Sequence, residues 1–74
     1  MNIIKEWLRK IEAEKTGENI YYIGEADIQI NEECVLCNIS TIEIQDDYLI
    51  VFKMENGWVT ATYLGDNINK IELN

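Results

Sequence analysis

The sequence predicts an α+β domain: an N-terminal amphipathic helix packed on a curled antiparallel meander of about five strands. The sheet would either close as a small barrel or lie under the helix as a two-layer α/β sandwich. Three observations predict this class. Apolar residues recur with a helical period at the start of the chain and with a period of two from Ile20 onward. Polar clusters and one Asn-Gly pair divide the period-two region into short strands. The chain has 74 residues, room for one domain (1–74) with one core.

A helix is expected over about 2–16. Ile4, Trp7, Leu8 and Ile11 fall on one helical face. Asn2 is a candidate N-cap and Gly17 a candidate C′ glycine. Glu6 and Lys10 form an i, i+4 pair in the favourable order. A single long strand follows over about 20–30. Ile20, Tyr22, Ala26, Ile28 and Ile30 lie on even positions, and Glu25, Asp27 and Gln29 on odd ones. Gly24 reads as a bend or bulge within it. Asn31-Glu32-Glu33 is a polar turn.

The next strand runs over about 34–45, with Val35, Cys37 and Ile39 on one parity and Ile42 and Ile44 on the other. A bulge near Ser40-Thr41 would reconcile them. After a turn at Asp46-Asp47, strands over about 48–55 and 58–64 flank Asn56-Gly57, a strong hairpin signal. A two-residue loop there pairs Met54 with Val59, Phe52 with Ala61 and Ile50 with Tyr63 on the core face. It pairs Lys53 with Thr60, Val51 with Thr62 and Leu49 with Leu64 on the other. Gly65-Asp66-Asn67 turns the chain into a last strand over about 69–73, with Ile71 and Leu73 inward. Tyr21, Ile23, Leu49, Val51, Trp58 and Leu64 then fall on the second face. A curled sheet or a partner is needed to cover them. The order of helix then five strands resembles the Sm-like barrel, which implies a topology. The chain has no Asp-x-aromatic-x-Asn where that family reads RNA bases, and a net charge of −8 repels phosphate.

An apolar content of 47% with 27% charged residues is that of a folded chain. There is no His, which removes the commonest general base and the commonest metal ligand. No G-x-S-x-G, phosphate loop or metal-ligand cluster is present. The expectation is no enzyme, no cofactor and no metal. No apolar run has signal or membrane-span length, so a cytoplasmic protein without membrane contact is expected (host cytoplasm for a phage product).

Cys34 and Cys37 form a C-x-x-C. A structural zinc site needs four ligands, and the chain has two thiols and no His. A redox pair needs its first Cys at a helix N-terminus, whereas Asn-Ile-Ser-Thr-Ile follows as strand chemistry. The pair reads as two strand residues, one thiol facing the core and one facing out. Asp66-Asn67-Ile68-Asn69 offers oxygens without calcium-loop spacing.

Charge is unevenly spread. Residues 1–17 carry four cations and three acids, a net of +1. Residues 18–74 carry Lys53 and Lys70 against eleven acids, a net of −9. Glu25 and Asp27 share a strand face, and Glu32, Glu33, Asp46 and Asp47 sit at turns. Carboxylates so placed can occupy phosphate positions on a basic groove. The alternative is a solubilising surface. Trp58 is a candidate apolar anchor beside the hairpin turn, or else a core residue.

In size, charge and composition the chain resembles small acidic phage- or mobile-element-encoded inhibitors, anti-CRISPR and other anti-defence proteins among them. The function expected first is an inhibitor that occludes the nucleic-acid site of a basic enzyme without touching nucleic acid itself. Glu25, Asp27, Glu32, Glu33, Asp46 and Asp47 are its charged contacts, with Trp58 as the anchor. An immunity protein or antitoxin against a nuclease toxin is the second reading. A structural module self-associating as a homodimer through Leu49, Val51, Trp58 and Leu64 is the third.

Overall fold

Helix α1 (Asn2–Lys10) precedes six strands: β1 (Glu14–Gly17), β2 (Ile20–Ile30), β3 (Cys34–Gln45), β4 (Leu49–Met54), β5 (Val59–Leu64) and β6 (Ile71–Leu73). A 3-10 turn, Gly65–Asn67, joins β5 to β6. The computed structural model describes residues 2–74, and the Asn2 cap rests on a side chain outside that description.

The helix is shorter than the apolar stripe suggests, because a left-handed residue stops it. Glu12 has φ 61°. Its N–H donates to the Arg9 carbonyl at 3.0 Å, and the Ala13 N–H donates to the Leu8 carbonyl at 3.0 Å. These two bonds make a Schellman motif with Glu12 at C′, where glycine is usual. Ala13 then packs on the core beside Leu8. Gly17 is therefore no helix cap. It lies in β1, a strand of four residues with no apolar side chain to show a period, which pairs with the start of β2. Ile4 and Leu8 are fully buried, and Lys10 Nζ lies 4.4 Å over the Trp7 ring rather than pairing with Glu6.

The strands form one antiparallel sheet in the order β1-β2-β3-β4-β5, with β6 on the same edge of β2 as β1. β1 takes the start of β2 (residues 20–22), and β6 takes its end (28–30). The sheet is open: no ladder joins β5 to β1 or β6, so the closed barrel is not met.

The sheet still curls, and three bulges curl it. Between Tyr22↔Thr41 and Ala26↔Ile39, β2 spends two extra residues, Gly24 (φ 65°) and Glu25 (φ 52°) being left-handed. Between Ala26↔Ile39 and Ile28↔Leu36, β3 has one extra residue at left-handed Asn38. Between Ile39↔Met54 and Thr41↔Lys53, β3 has another, at Ser40. The parity change expected near Ser40-Thr41 is there. The other two bulges overturn parts of the sequence reading. Tyr21 faces the core while Ile20 and Tyr22 are exposed, the reverse of strict even alternation. In β3, Leu36 is buried while Val35 and Cys37 are exposed.

The core gathers residues from both ends of the curl. Tyr21, Ile42, Ile44, Ile50 and Phe52 meet Ile28, Ile30, Leu36, Ile39 and Ile71, with Ile4 and Leu8 from the helix and Ile68 from the last connection. Phe52 and Tyr63 meet edge to face at 5.7 Å and 85°. Leu73, expected inward, is half exposed at the end of the short β6.

The β4–β5 hairpin keeps the expected pairs Ile50↔Tyr63, Phe52↔Ala61, Val51↔Thr62 and Leu49↔Leu64. Its loop has three residues rather than two. The Gly57 N–H donates to the Met54 carbonyl, and the Met54 N–H to the Trp58 carbonyl, with Gly57 at φ 89°. That is a turn followed by a glycine bulge. A second bulge at Thr60 then replaces the expected Met54–Val59 and Lys53–Thr60 pairs with Lys53↔Val59.

Candidate protein-binding surface

The six candidate carboxylates do not line one strand face. Glu25 lies inside the β2 bulge, so its even strand spacing from Asp27 is lost. Asp27 Oδ1 accepts the N–H of left-handed Asn38 at 3.1 Å and so caps the β3 bulge. Glu32 and Glu33 sit in the β2–β3 turn, and Asp46 and Asp47 in the β3–β4 turn at the other end of β3. All six are exposed.

The two turns share one geometry. Asn31 and Glu32 in the first, and Asp46 and Asp47 in the second, are consecutive residues with positive φ. Glu33 N–H donates to the Ile30 carbonyl, and Tyr48 N–H to the Gln45 carbonyl. This is the pattern of a type I′ turn, which favours Asn and Asp in its left-handed positions. Turn chemistry alone thus accounts for Asn31 and Asp46.

Asn31 is a functional residue of the fold that sequence reasoning passed over. Its Oδ1 accepts the N–H groups of Asn69 (2.6 Å) and Lys70 (3.0 Å), and its Nδ2 donates to the Asn67 carbonyl (2.6 Å). It latches the β5–β6 connection onto the β2–β3 turn. An Asn at a strand end before a polar turn was the available signal.

Ion pairing decides what charge is left over. Lys53 Nζ meets Glu43 Oε2 at 2.6 Å on the outer face of the sheet. Lys70 Nζ meets Glu32 Oε1 at 2.9 Å and Glu72 Oε1 at 3.2 Å. The hydrogen bond from Lys70, then its charge, holds the Glu32 carboxyl below its ordinary value, and Glu32 and Glu72 raise the Lys70 ammonium in return. Both cations of residues 18–74 are thus engaged. Eleven acids less Glu32, Glu43 and Glu72 leaves eight without an ion-pair partner among the described residues: Glu18, Glu25, Asp27, Glu33, Asp46, Asp47, Glu55 and Asp66. Glu55 Oε2 accepts the hydroxyl of Ser40, the one buried polar residue described, and remains at the surface.

The outer face of β2, β3, β4 and β5 is different. The ladders align Tyr22, Thr41, Lys53 and Val59 in one row, and Ile20, Glu43, Val51 and Thr62 in the next. Its central charges cancel in the Glu43–Lys53 pair, and Val51 is only 5% exposed although it lies outside the main core. Trp58 stands opposite Met54 by register, on the core side rather than the outer face, and is 71% exposed past the end of the core.

Both cysteines are free and exposed. By register Cys34 stands opposite buried Ile30, on the core face but at its exposed end, and the bulge at Asn38 turns Cys37 to the outer face. Burial raises the Tyr63 phenol pKa, and the neighbouring Cys34 and Glu33 side chains add to it. Among the described residues no group of three or more His, Cys, Asp or Glu side chains could hold a metal. No helix described is long and apolar enough to cross a membrane. An open groove of about 250 Å³ lies between α1 and β6, lined by Trp7, Lys10, Ile11, Ile71, Glu72 and Leu73. Comparison with protein-family models, curated proteins and solved structures finds no match for this chain.

Proposed function

We propose that this protein is a small acidic inhibitor that binds a basic protein and covers its nucleic-acid-binding site. The observation that carries the reading is the charge left over after folding. Both lysines of residues 18–74 are engaged in ion pairs, and among the described residues eight exposed carboxylates have no cation beside them. A surface of that sign meets Lys and Arg arrays that otherwise hold phosphates, binding fast and with steep salt dependence. In this reading the protein binds no nucleic acid itself, and a phage or mobile element aimed at host defence, CRISPR nucleases included, is its natural source. Of the six carboxylates, Asp27 and Glu32 also serve the fold, so Glu25, Glu33, Asp46 and Asp47 carry the contact.

A tagged pull-down from bacterial lysate at low and high salt, read by mass spectrometry, tests it. The expected result is a basic nucleic-acid enzyme retained at low salt and released by high salt. The quadruple variant Glu25→Gln, Glu33→Gln, Asp46→Asn, Asp47→Asn should lose it. A partner held equally by the variant and at high salt would overturn the reading.

A further inference from the structure

We propose that the free edge of β5 is a strand-addition site, taken by an extended segment of the partner that carries basic residues on both sides of an uncharged, β-branched centre. The inference rests on the docking reading above and names the element that docks.

The two edges of the sheet are protected unequally. One edge is shared by β1, four residues with Glu14 and Lys15 and an irregular register, and by β6, three residues with Glu72 beside Lys70 and with α1 alongside. Short strands, charges and a covering helix are the usual ways of blunting an edge. β5 has almost none of them. Its sequence, Val-Thr-Ala-Thr-Tyr-Leu, holds no charge and no Pro. Its bulge sits at Thr60, and Ala61–Leu64 run in unbroken register with β4. No other strand pairs with it, so its outer N–H and C=O groups are open to a further strand.

Charge identifies the occupant. Glu55 precedes the strand in the hairpin loop, and Asp66 follows it. The Gly65 N–H donates to the Tyr48 carbonyl at 2.6 Å, which brings the Asp46-Asp47 turn beside the same end. An uncharged strand thus lies between two acidic ends. An added strand with Lys or Arg at both ends satisfies them. A second copy of this chain does not, since edge pairing in either direction sets acidic ends against each other. Trp58 at the start of β5 supplies an exposed aromatic surface for the incoming chain.

The test is amide exchange by NMR on the full chain with a synthetic peptide, Lys-Lys-Val-Thr-Val-Thr-Val-Lys-Lys, at millimolar concentration. The expected result is exchange slowed at least about tenfold at residues 59–64, lost in high salt, lost with a serine-flanked peptide, and lost when alternate peptide nitrogens are methylated. Slowing equally strong with the methylated peptide, or confined to residues outside β5, overturns strand addition. So does protection of β5 that grows with concentration of the free protein, which would mark a second copy. If the pull-down names a salt-released basic partner while β5 exchanges unchanged with the lysine peptide, strand addition alone falls and the acidic docking reading stands.

Discussion

Two hairpins share this sheet and shape it differently. Along β2–β3 the chain makes bulges at Gly24-Glu25 and Asn38, with a third at Ser40 toward β4, and each turns the strand direction. Along β4–β5 the ladder is regular from Leu49↔Leu64 to Phe52↔Ala61 and breaks only near the loop. The first hairpin wraps the core and takes β1 and β6 on its far edge. The second stays straight and leaves its far edge free. In a sheet of fixed hydrogen-bonding geometry, bulges are where curvature is placed, so the straight hairpin is the one left with a strand's worth of unpaired backbone.

The comparison breaks most severely at the residue that joins the two hairpins through the core. Phe52 is fully buried, stands opposite Ile42 of β3 in the ladder, packs in the core shared by both hairpins, and meets Tyr63 of its own hairpin edge to face. Phe52→Ala is expected to cost about 3–5 kcal/mol, by lost transfer energy plus the cavity left behind. In a domain this small, that is a large share of the total. Urea denaturation followed by tryptophan fluorescence should show a pretransition baseline shortened or absent. A midpoint within error of the wild type would mean that the hairpins do not depend on each other through this ring.

Next in size is a pair of asparagines, one at each turn. Asn31 makes three side-chain hydrogen bonds to the β5–β6 connection and occupies a left-handed position. Asn31→Ala should cost about 2–3 kcal/mol, from bonds worth about 0.5–1.5 kcal/mol each and from the left-handed backbone that Ala resists. Asn56 accepts one bond, from the exposed Trp58 N–H at 3.0 Å. Asn56→Ala should cost only about 0.5–1 kcal/mol. Hydrogen exchange separates them further: Asn31→Ala should expose the amides of β6 while β5 keeps its protection. Equal costs, or loss confined to β5, would count against the latch.

How much of this was legible depended on how local the cause was. The β4–β5 core pairs follow from Asn-Gly and strict alternation, and both signals lie within one hairpin. The faces of β2 and β3 were misread because a bulge is a tertiary decision. Glu25 and Asn38 take left-handed backbone that their residue types only tolerate, and Asp27 caps the Asn38 N–H from the neighbouring strand. The helix end was misread for a related reason: Glu12 takes the C′ position that composition assigned to Gly17. For the candidate surface, charge sign was readable and charge pairing was not. Glu32 and Lys70 are 38 residues apart in sequence and meet only because Asn31 brings their segments together.

That meeting point gives the smallest expected effect and the sharpest local readout. Glu32 and Lys70 lie in water, so their pair is screened by salt and adds little to stability. Its signature is in titration. The Glu32 carboxyl is held below its ordinary value, first by the Lys70 hydrogen bond and then by the Lys70 charge. A lowered carboxyl pKa stabilises the fold above the unfolded-state value, and that contribution disappears as pH falls through the lowered value. Lys70 works in the opposite sense. Its raised pKa stabilises below the unfolded-state value and loses that contribution as pH climbs through the raised one. Near neutral pH both contributions are present. In Lys70→Gln, the Glu32 carboxyl followed by carbon NMR should titrate with a midpoint moved up toward that of an ordinary glutamate. A Glu32 midpoint that stays low without Lys70 would assign its shift to the backbone of the turn rather than to this ion pair.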